Sequence, residues 1–131
     1  MLEVQVVSPE RILWSGEAAM VSVRTVEGGD IAFLTGHAPF VGALDVGPAM
    51  VRPEQGADLG FAVHGGFVEV SGDRVSILSD VAELADDIDP ERARAAKERA
   101  EAAIRADEEE DEFRHALRRA EVRLRVAGVH E

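Results

Sequence analysis

The residues of this sequence that could do chemistry are arginines in its C-terminal third. Three of them, Arg99, Arg119 and Arg123, have no acidic residue three or four positions away, the spacing at which side chains pair on a helix. Arg92 has only Asp89 within that reach. Guanidinium groups bind phosphate oxygens through paired hydrogen bonds, so these arginines on adjoining helices could hold a triphosphate. The alternative interpretation is that they are ordinary hydrated surface residues.

Other basic side chains in this region have acidic partners at helical spacing. Arg94 has Glu91, and Lys97 has Glu101. Such pairs stabilise a helix by roughly 0.2–0.5 kcal/mol each, so they predict a solvated surface rather than a binding site. The segment 113–126 nevertheless holds five arginines and one acid. That local excess of positive charge favours contact with an acidic partner.

Several kinds of chemistry are excluded by what the sequence lacks. It contains no cysteine, so thiolate nucleophiles, disulfides and cysteine zinc sites are unavailable. It has no Gly-x-x-x-x-Gly-Lys loop for phosphate, and no serine nucleophile in a recognisable setting beside a histidine. The histidines are scattered without metal-ligand spacing; they are His37, His64, His115 and His130. We therefore expect a protein with no metal site and no enzyme activity of its own.

Composition narrows the class of protein further. The chain has 131 residues, of which 46% are hydrophobic, and a formal net charge of −12. This is enough apolar content for a core, while the negative charge repels nucleic acid and anionic lipid. The longest uncharged stretch, 31–44, is short and broken by glycine and proline. We expect a cytosolic protein that binds no nucleic acid and does not insert into a membrane, although it could dock on a membrane complex.

The elements that position these arginines divide the chain into two halves. In residues 1–86, short β-branched runs alternate with polar neighbours and are separated by glycine and proline, a pattern typical of an all-β domain. We predict a β-sandwich or flattened barrel of about eight to ten strands.

Residues 87–131 are rich in alanine, glutamate and arginine, which favour helices. Asp89 and Pro90 suit the N-cap and first position of a helix. The acidic run 107–112 should reverse the chain and begin a second helix. We predict an antiparallel two-helix hairpin, whose alanine-rich interface buries little area and is only marginally stable.

Three blocks of sequence carry a resemblance to a known family. Residues 29–41, Gly-Asp-Ile-Ala-Phe-Leu-Thr-Gly-His-Ala-Pro-Phe-Val, and residues 65–70, Gly-Gly-Phe-Val-Glu-Val, are followed by the two-helix tail. In this order they resemble the epsilon subunits of bacterial F-type ATP synthases over nearly the whole chain. Ala32 stands where that family usually has glycine.

The resemblance implies a non-catalytic central-stalk subunit that couples the rotor and regulates ATP hydrolysis. Its sandwich would hold the gamma subunit and touch the c-ring, and its hairpin would either fold on the sandwich or extend. When extended, Arg114, Arg118 and Arg125 would contact the beta subunit. The implied location is the cytoplasmic face of the plasma membrane, as a peripheral part of the complex. The alternative hypothesis is a free-standing nucleotide sensor unconnected to a motor.

The start of the first helix also resembles a family motif for ATP. Ile88-Asp89-Pro90-Glu91-Arg92-Ala93 matches the Ile/Leu-Asp-x-x-Arg-Ala pattern of epsilon subunits that hold ATP between folded helices. The resemblance implies that no cofactor is required and that ATP, with or without magnesium, is a regulatory ligand. The motif and the arginines without local partners together give the candidate ATP site: Ile88, Asp89, Arg92, Arg99, Arg119 and Arg123. The family resemblance implies Glu83 as a further member.

Overall fold

Strands form the first part of the chain and helices the last, in a computed structural model that describes residues 1–106 and 111–128. Apolar residues alternate with polar ones in the strands, so that one face of each strand is buried. The elements, in chain order, are β1 (Leu2–Val7), β2 (Ile12–Thr25), β3 (Gly29–Leu34), β4 (Phe40–Pro53), β5 (Leu59–Ser71), β6 (Arg74–Leu78), β7 (Ala82–Leu84), a 3₁₀ turn (Ala85–Asp87), α1 (Pro90–Arg105) and α2 (Asp111–Val126).

The described residues contain seven strands, fewer than the eight to ten that the sequence predicts. Three of the strands are 13 or 14 residues long. Glycine and proline lie inside these strands rather than between them: Gly47 and Pro48 are in β4, and Gly65 and Gly66 are in β5. The punctuation that suggested separate short strands therefore marks bends within long ones.

The strands close on one another as a flattened barrel, which is the sandwich of the sequence prediction. Neighbours follow the order β1-β6-β5-β4-β2, and β2 also pairs with β1, which completes the ring. β3 extends the sheet beyond β2, and β7 pairs with the first half of β5. The core is mainly apolar, with Phe33 and Phe61 as its largest fully buried side chains.

The bend in β5 explains why two glycines stand together at this point. Gly65 and Gly66 both have positive φ, 87° and 114°, a region that side chains rarely adopt. A Cβ atom on Gly66 would lie 2.1 Å from the carbonyl oxygen of Leu78. The backbone of β5 can therefore approach β6 this closely only with glycine at position 66. The bend aims the first half of β5, which includes His64, toward the helices.

The helical hairpin packs on the barrel through its second helix. α1 packs against α2, and α2 contacts β4 and β5. The predicted N-cap is confirmed, because the Asp89 carboxylate accepts hydrogen bonds from the backbone N–H groups of Glu91 and Arg92. Of the predicted acidic reversal, residues 107–110 lie outside the described residues, and Asp111 begins α2.

The second helix has two apolar faces. On one of them Ala120 and Leu124 are buried, and α1 contributes Ala93 and Ala100 to the buried set. Val122, on the other side of α2, is also buried, in a cluster with Ala62 of β5 and Ile88. Val126, one helical turn further along α2, packs against the same cluster, so this second face is a short stripe of two valines at helical spacing.

Candidate functional site

Three polar side chains meet where α2 lies on the barrel. One carboxylate oxygen of Glu83, in β7, is 3.0 Å from Nε2 of His64 and 2.7 Å from Nε of Arg123. His64 belongs to β5 and Arg123 to α2. We call these three residues the docking cluster. It joins two strands of the barrel to the second helix through a single acceptor atom.

Strand register and helix packing bring the docking cluster together. Glu83 pairs with Ala62 in the β5–β7 ladder, and His64 follows Ala62 by two residues, so it lies on the same face of β5. Val122 packs on Ala62, and Arg123 is the next residue of α2. The apolar contact between helix and barrel therefore fixes the position of the polar contact beside it.

His64 is the most enclosed member of the docking cluster. Its side chain is 3% exposed, and its Nδ1 atom is buried without a hydrogen-bond partner. Burial lowers the pKa of His64, the hydrogen bond to Glu83 acts in the opposite direction, and the positive charges of Arg123 and Arg119 lower it further. The net result is a pKa below the usual 6.5. A neutral imidazole that donates its Nε2–H to Glu83 fits these surroundings.

Glu83 is held in its ionised form by its two donors. Burial raises the pKa of this carboxyl group, but the hydrogen bonds from Arg123 and His64 outweigh that effect and bring the pKa below its usual 4.5. Because both donors are partly or fully buried, removing the carboxylate would leave them unpaired in a poorly solvated place.

A second ion pair also ties α2 to the barrel. Nη2 of Arg118 is 2.8 Å from a carboxylate oxygen of Asp45 in β4. Both side chains are about a third or more exposed, so solvent screening limits this pair to about 0–1 kcal/mol. The docking cluster, rather than this pair, is the stronger polar attachment of the hairpin.

Arg119 and Arg123, which have no acidic residue three or four positions away in sequence, both have acidic partners in the structure. Arg123 binds Glu83, and Arg119 pairs with Glu112 at 2.6 Å. The pair with Arg119 also lowers the pKa of Glu112. These acids escape a search at three and four residues because one lies seven positions away on the same helix and the other forty positions away in a strand.

The two candidate arginines of α1 have a different environment. Arg92 and Arg99 are exposed, and the described part of the chain contains no ion pair with either side chain. The predicted pair between Arg94 and Glu91 is present. The structure therefore brings Glu83, Arg119 and Arg123 to the barrel side of the hairpin, and no hydrogen bond or ion pair between described residues joins Arg92 or Arg99 to them.

Three fixed residues of the motif at the start of α1 have structural roles in this fold. Ile88 is buried against the barrel and α2, Asp89 caps α1, and Ala93 is buried. Of the fixed positions in the motif, only Arg92 has its side chain available for a ligand. The three arginines expected to contact the beta subunit have different environments. Arg114 and Arg125 are exposed, while Arg118 forms an ion pair with Asp45 of the barrel.

Other kinds of site can be tested within residues 1–106 and 111–128. In that part of the chain, no group of three or more histidine or acidic side chains is arranged to hold a metal ion. Neither helix there is long and apolar enough to cross a membrane.

A closed barrel joined to a helical hairpin by a small polar and apolar contact defines a two-part protein. Comparisons agree with this class. Residues 1–85 match the family model for the beta-sandwich domain of the ATP synthase delta/epsilon chain, and residues 86–128 match that for its long alpha-helix domain. The chain therefore belongs to the ATP synthase epsilon family.

Relatives match the chain along nearly its full length. The ATP synthase epsilon chain of Halalkalibacterium halodurans is 49% identical over 97% of both chains. That of Streptomyces griseus is 44% identical over 98% of this chain and 96% of the relative. A chain in the Euglena gracilis mitochondrial ATP synthase, in a structure of OSCP, F1 and the c-ring, superposes with a TM-score of 0.73 at 25% identity, covering 95% of this chain and 76% of that one. A free-standing nucleotide sensor is not favoured by these matches.

Loss of the Glu83 carboxylate should loosen the hairpin. We expect Glu83→Ala to weaken docking of α2 by about 1–2 kcal/mol, because Arg123 and His64 lose their shared acceptor. Backbone amides of α2 should then exchange with solvent about five to thirty times faster. Glu3→Ala, which breaks an exposed ion pair with Arg74 between β1 and β6, is the matched control. Equal exchange in the two variants would contradict the role of the docking cluster.

Proposed function

We propose that this chain is a non-catalytic regulatory subunit of the rotor in an F-type ATP synthase, and that its hairpin moves between a docked and an extended position. The observation that carries this proposal is the small attachment of the hairpin. Its apolar contact with the barrel centres on Ala62, Ile88 and Val122, which are of small or medium size. Two ion pairs add to it. An attachment of this kind can be broken without unfolding the barrel.

The barrel offers a face for a partner in the rotor, and we assign the gamma subunit to it. Four apolar side chains form a row across adjacent strands through the pairs Ile12–Val7, Val7–Leu78 and Leu78–Phe67. Ile12 and Phe67 are 57% and 56% exposed. Beside them lies an open groove of about 310 Å³ that includes Pro9. A contiguous exposed apolar surface of this kind is typical of an interaction site.

A second end of the barrel suits the c-ring. The loop from Leu34 to Phe40 carries His37, whose ring lies edge-on to the rings of Phe33 and Phe40. Val41 and Leu34 beside it are exposed. With both contacts made, the chain would be a peripheral subunit on the cytoplasmic face of the plasma membrane, attached through its partners.

Replacing the largest apolar side chain of the row should weaken binding to gamma. We expect Phe67→Ser to reduce affinity by about tenfold or more, since burial of an aromatic side chain contributes about 1.5–3 kcal/mol. Val26→Ser, at an apolar residue that is equally exposed in the turn after β2, should leave affinity unchanged. Binding measured with purified gamma gives the answer; equal affinities for the two variants would rule out this face.

The extended hairpin would act as a brake through its basic residues. We propose that Arg114, Arg118 and Arg125 then contact acidic residues of the beta subunit. Arg118 must first leave Asp45, so extension exchanges one acidic partner for another. In the docked state the brake is released, and turnover proceeds.

Charge reversal at the two exposed members of this set should release the brake. We expect Arg114→Glu with Arg125→Glu to raise ATP hydrolysis by the assembled motor at low nucleotide, with a smaller effect at high salt because such contacts are screened. These two positions are chosen because neither forms an ion pair with the described part of the barrel. Reversal of Arg105, an exposed residue of α1, serves as the control. Unchanged hydrolysis in the double variant contradicts inhibition through these charges.

ATP would bias the hairpin toward the docked state. We propose that its phosphates are bound by Arg92, Arg99, Arg119 and Arg123, with Ile88, Asp89 and Glu83 near its base, and with magnesium optional. A ligand shifts such an equilibrium only by its differential affinity for the two states. In the docked state Arg119 and Arg123 already bind carboxylates, so ATP must displace Glu112 and Glu83 from them. This competition should limit affinity.

Titration calorimetry tests the ATP site on the isolated chain. We expect Arg99→Ala to weaken binding by about tenfold or more, because a charge-assisted contact contributes about 1.5–3 kcal/mol. Arg94→Ala, on the same helix and paired with Glu91, should change affinity little. The absence of saturable heat at about millimolar ATP, or equal losses in the two variants, would show that the site is wrong.

A further inference from the structure

A buried histidine lies under the second helix, and the proposed binding of ATP makes no use of it. His64 is 3% exposed, and its Nε2 atom faces the Glu83 carboxylate. Its Nδ1 atom is buried without a partner. An imidazole is the side chain whose charge ordinarily changes near neutral pH. The charge of His64 can therefore affect the contact between α2 and the barrel.

Charged groups face this imidazole from two elements, and the balance among them is positive. From β7 comes Glu83, which is shared with Arg123; from α2 come Arg123 itself and Arg119. On β4, the residue opposite His64 is the apolar Val46. The residue before Val46 in β4, Asp45, forms an ion pair with Arg118. Within residues 1–106 and 111–128, the one carboxylate that contacts the ring is thus already neutralised by an arginine.

In the docked chain, the surroundings of His64 favour the neutral form of its imidazole. A neutral imidazole donates Nε2–H to Glu83 and leaves an unprotonated Nδ1 in an apolar setting, which is tolerable. A second proton would create an N–H donor on Nδ1 with no acceptor, and would place a cation beside two guanidinium groups. Once α2 leaves, water reaches the ring and both arginines depart. The released state therefore accepts the proton much more readily.

We propose that His64 makes docking of the hairpin sensitive to acid, so that proton uptake by its imidazole releases α2 from the barrel. This inference rests on the mobile hairpin of the proposed function, and it assigns a second input to that hairpin, independent of nucleotide. The proton is the ligand in this proposal, and the contact between α2 and β5 is the part of the structure that opens.

The direction of the effect follows from the two states of the ring. In the docked chain the pKa of His64 is lowered from its ordinary 6.5, and in the released chain it returns toward that value. Docking is therefore unaffected by pH above about 6.5 and weakens as the pH falls below it, until the docked pKa is reached. Glu83, whose pKa is lowered from 4.5, stays ionised through this range, so it does not contribute to the change.

A distance measurement within the full chain tests the proposal. Because the chain has no cysteine, a label can be placed at Glu54→Cys in the barrel and another at Glu121→Cys on α2, both at exposed positions. Without nucleotide, we expect the ratio of docked to released chain to fall about tenfold between about pH 7.5 and about pH 5.5. His64→Gln, which keeps a donor toward Glu83 but does not titrate, should remove most of this dependence. His115→Gln, at an exposed histidine of α2, should retain it.

The opposite results overturn the proposal. A docked fraction that is constant over this range, or a pH dependence that disappears with His115 rather than with His64, is incompatible with it. If His64→Gln does not fold, the proton resonances of His64 in the unsubstituted chain give the same decision: titration at or above 6.5 in the docked chain contradicts the proposal. Failure of the ATP proposal looks different, since ATP would then leave the label distance unchanged while the response to acid remained.

Discussion

The docked form of this protein depends on one carboxylate oxygen. Glu83 accepts hydrogen bonds from His64 of the barrel and Arg123 of α2 at the same atom. The other contacts described between hairpin and barrel are a small apolar cluster and an ion pair exposed to solvent. A shared acceptor couples its donors, because movement of one changes the charge that the other meets. The barrel, by contrast, is closed by strand pairing and keeps its own core. The molecule therefore combines a rigid half with a half that is weakly attached.

This arrangement changes the interpretation of the family motif at the start of α1. Ile88 fills the apolar contact, Asp89 caps the helix and Ala93 is buried against its neighbours. Three of the fixed residues are thus explained by folding and docking alone. A motif that specifies how the hairpin lies on the barrel can be present whether or not a nucleotide binds strongly. Affinity for ATP would then depend on Arg92 and on arginines elsewhere, which the motif does not determine.

Local chemistry could be predicted from the sequence, and distant pairing could not. The division into strands and helices and the Asp89 cap follow from spacing and propensity, and both are present. Arg123 has no acidic residue within helical reach, and its actual partner is forty residues away in β7, beyond what helical spacing can predict. His64 was set aside as one of several scattered histidines, since its enclosure arises only when α2 covers β5. The strand number was too high because a glycine inside a bent strand resembles one in a turn.

A disulfide between barrel and hairpin is the most direct test of whether movement of the hairpin regulates the motor. A Cβ atom on Gly60 would lie 3.5 Å from Cγ1 of Val126, so Gly60→Cys with Val126→Cys lies within the range of a disulfide. ATP hydrolysis of the assembled motor should be measured with this pair oxidised and then reduced, at low nucleotide. We expect higher ATP hydrolysis in the oxidised complex, where the hairpin cannot extend, and a return of inhibition on reduction. Equal activity in both forms would show that movement of the hairpin does not regulate the motor.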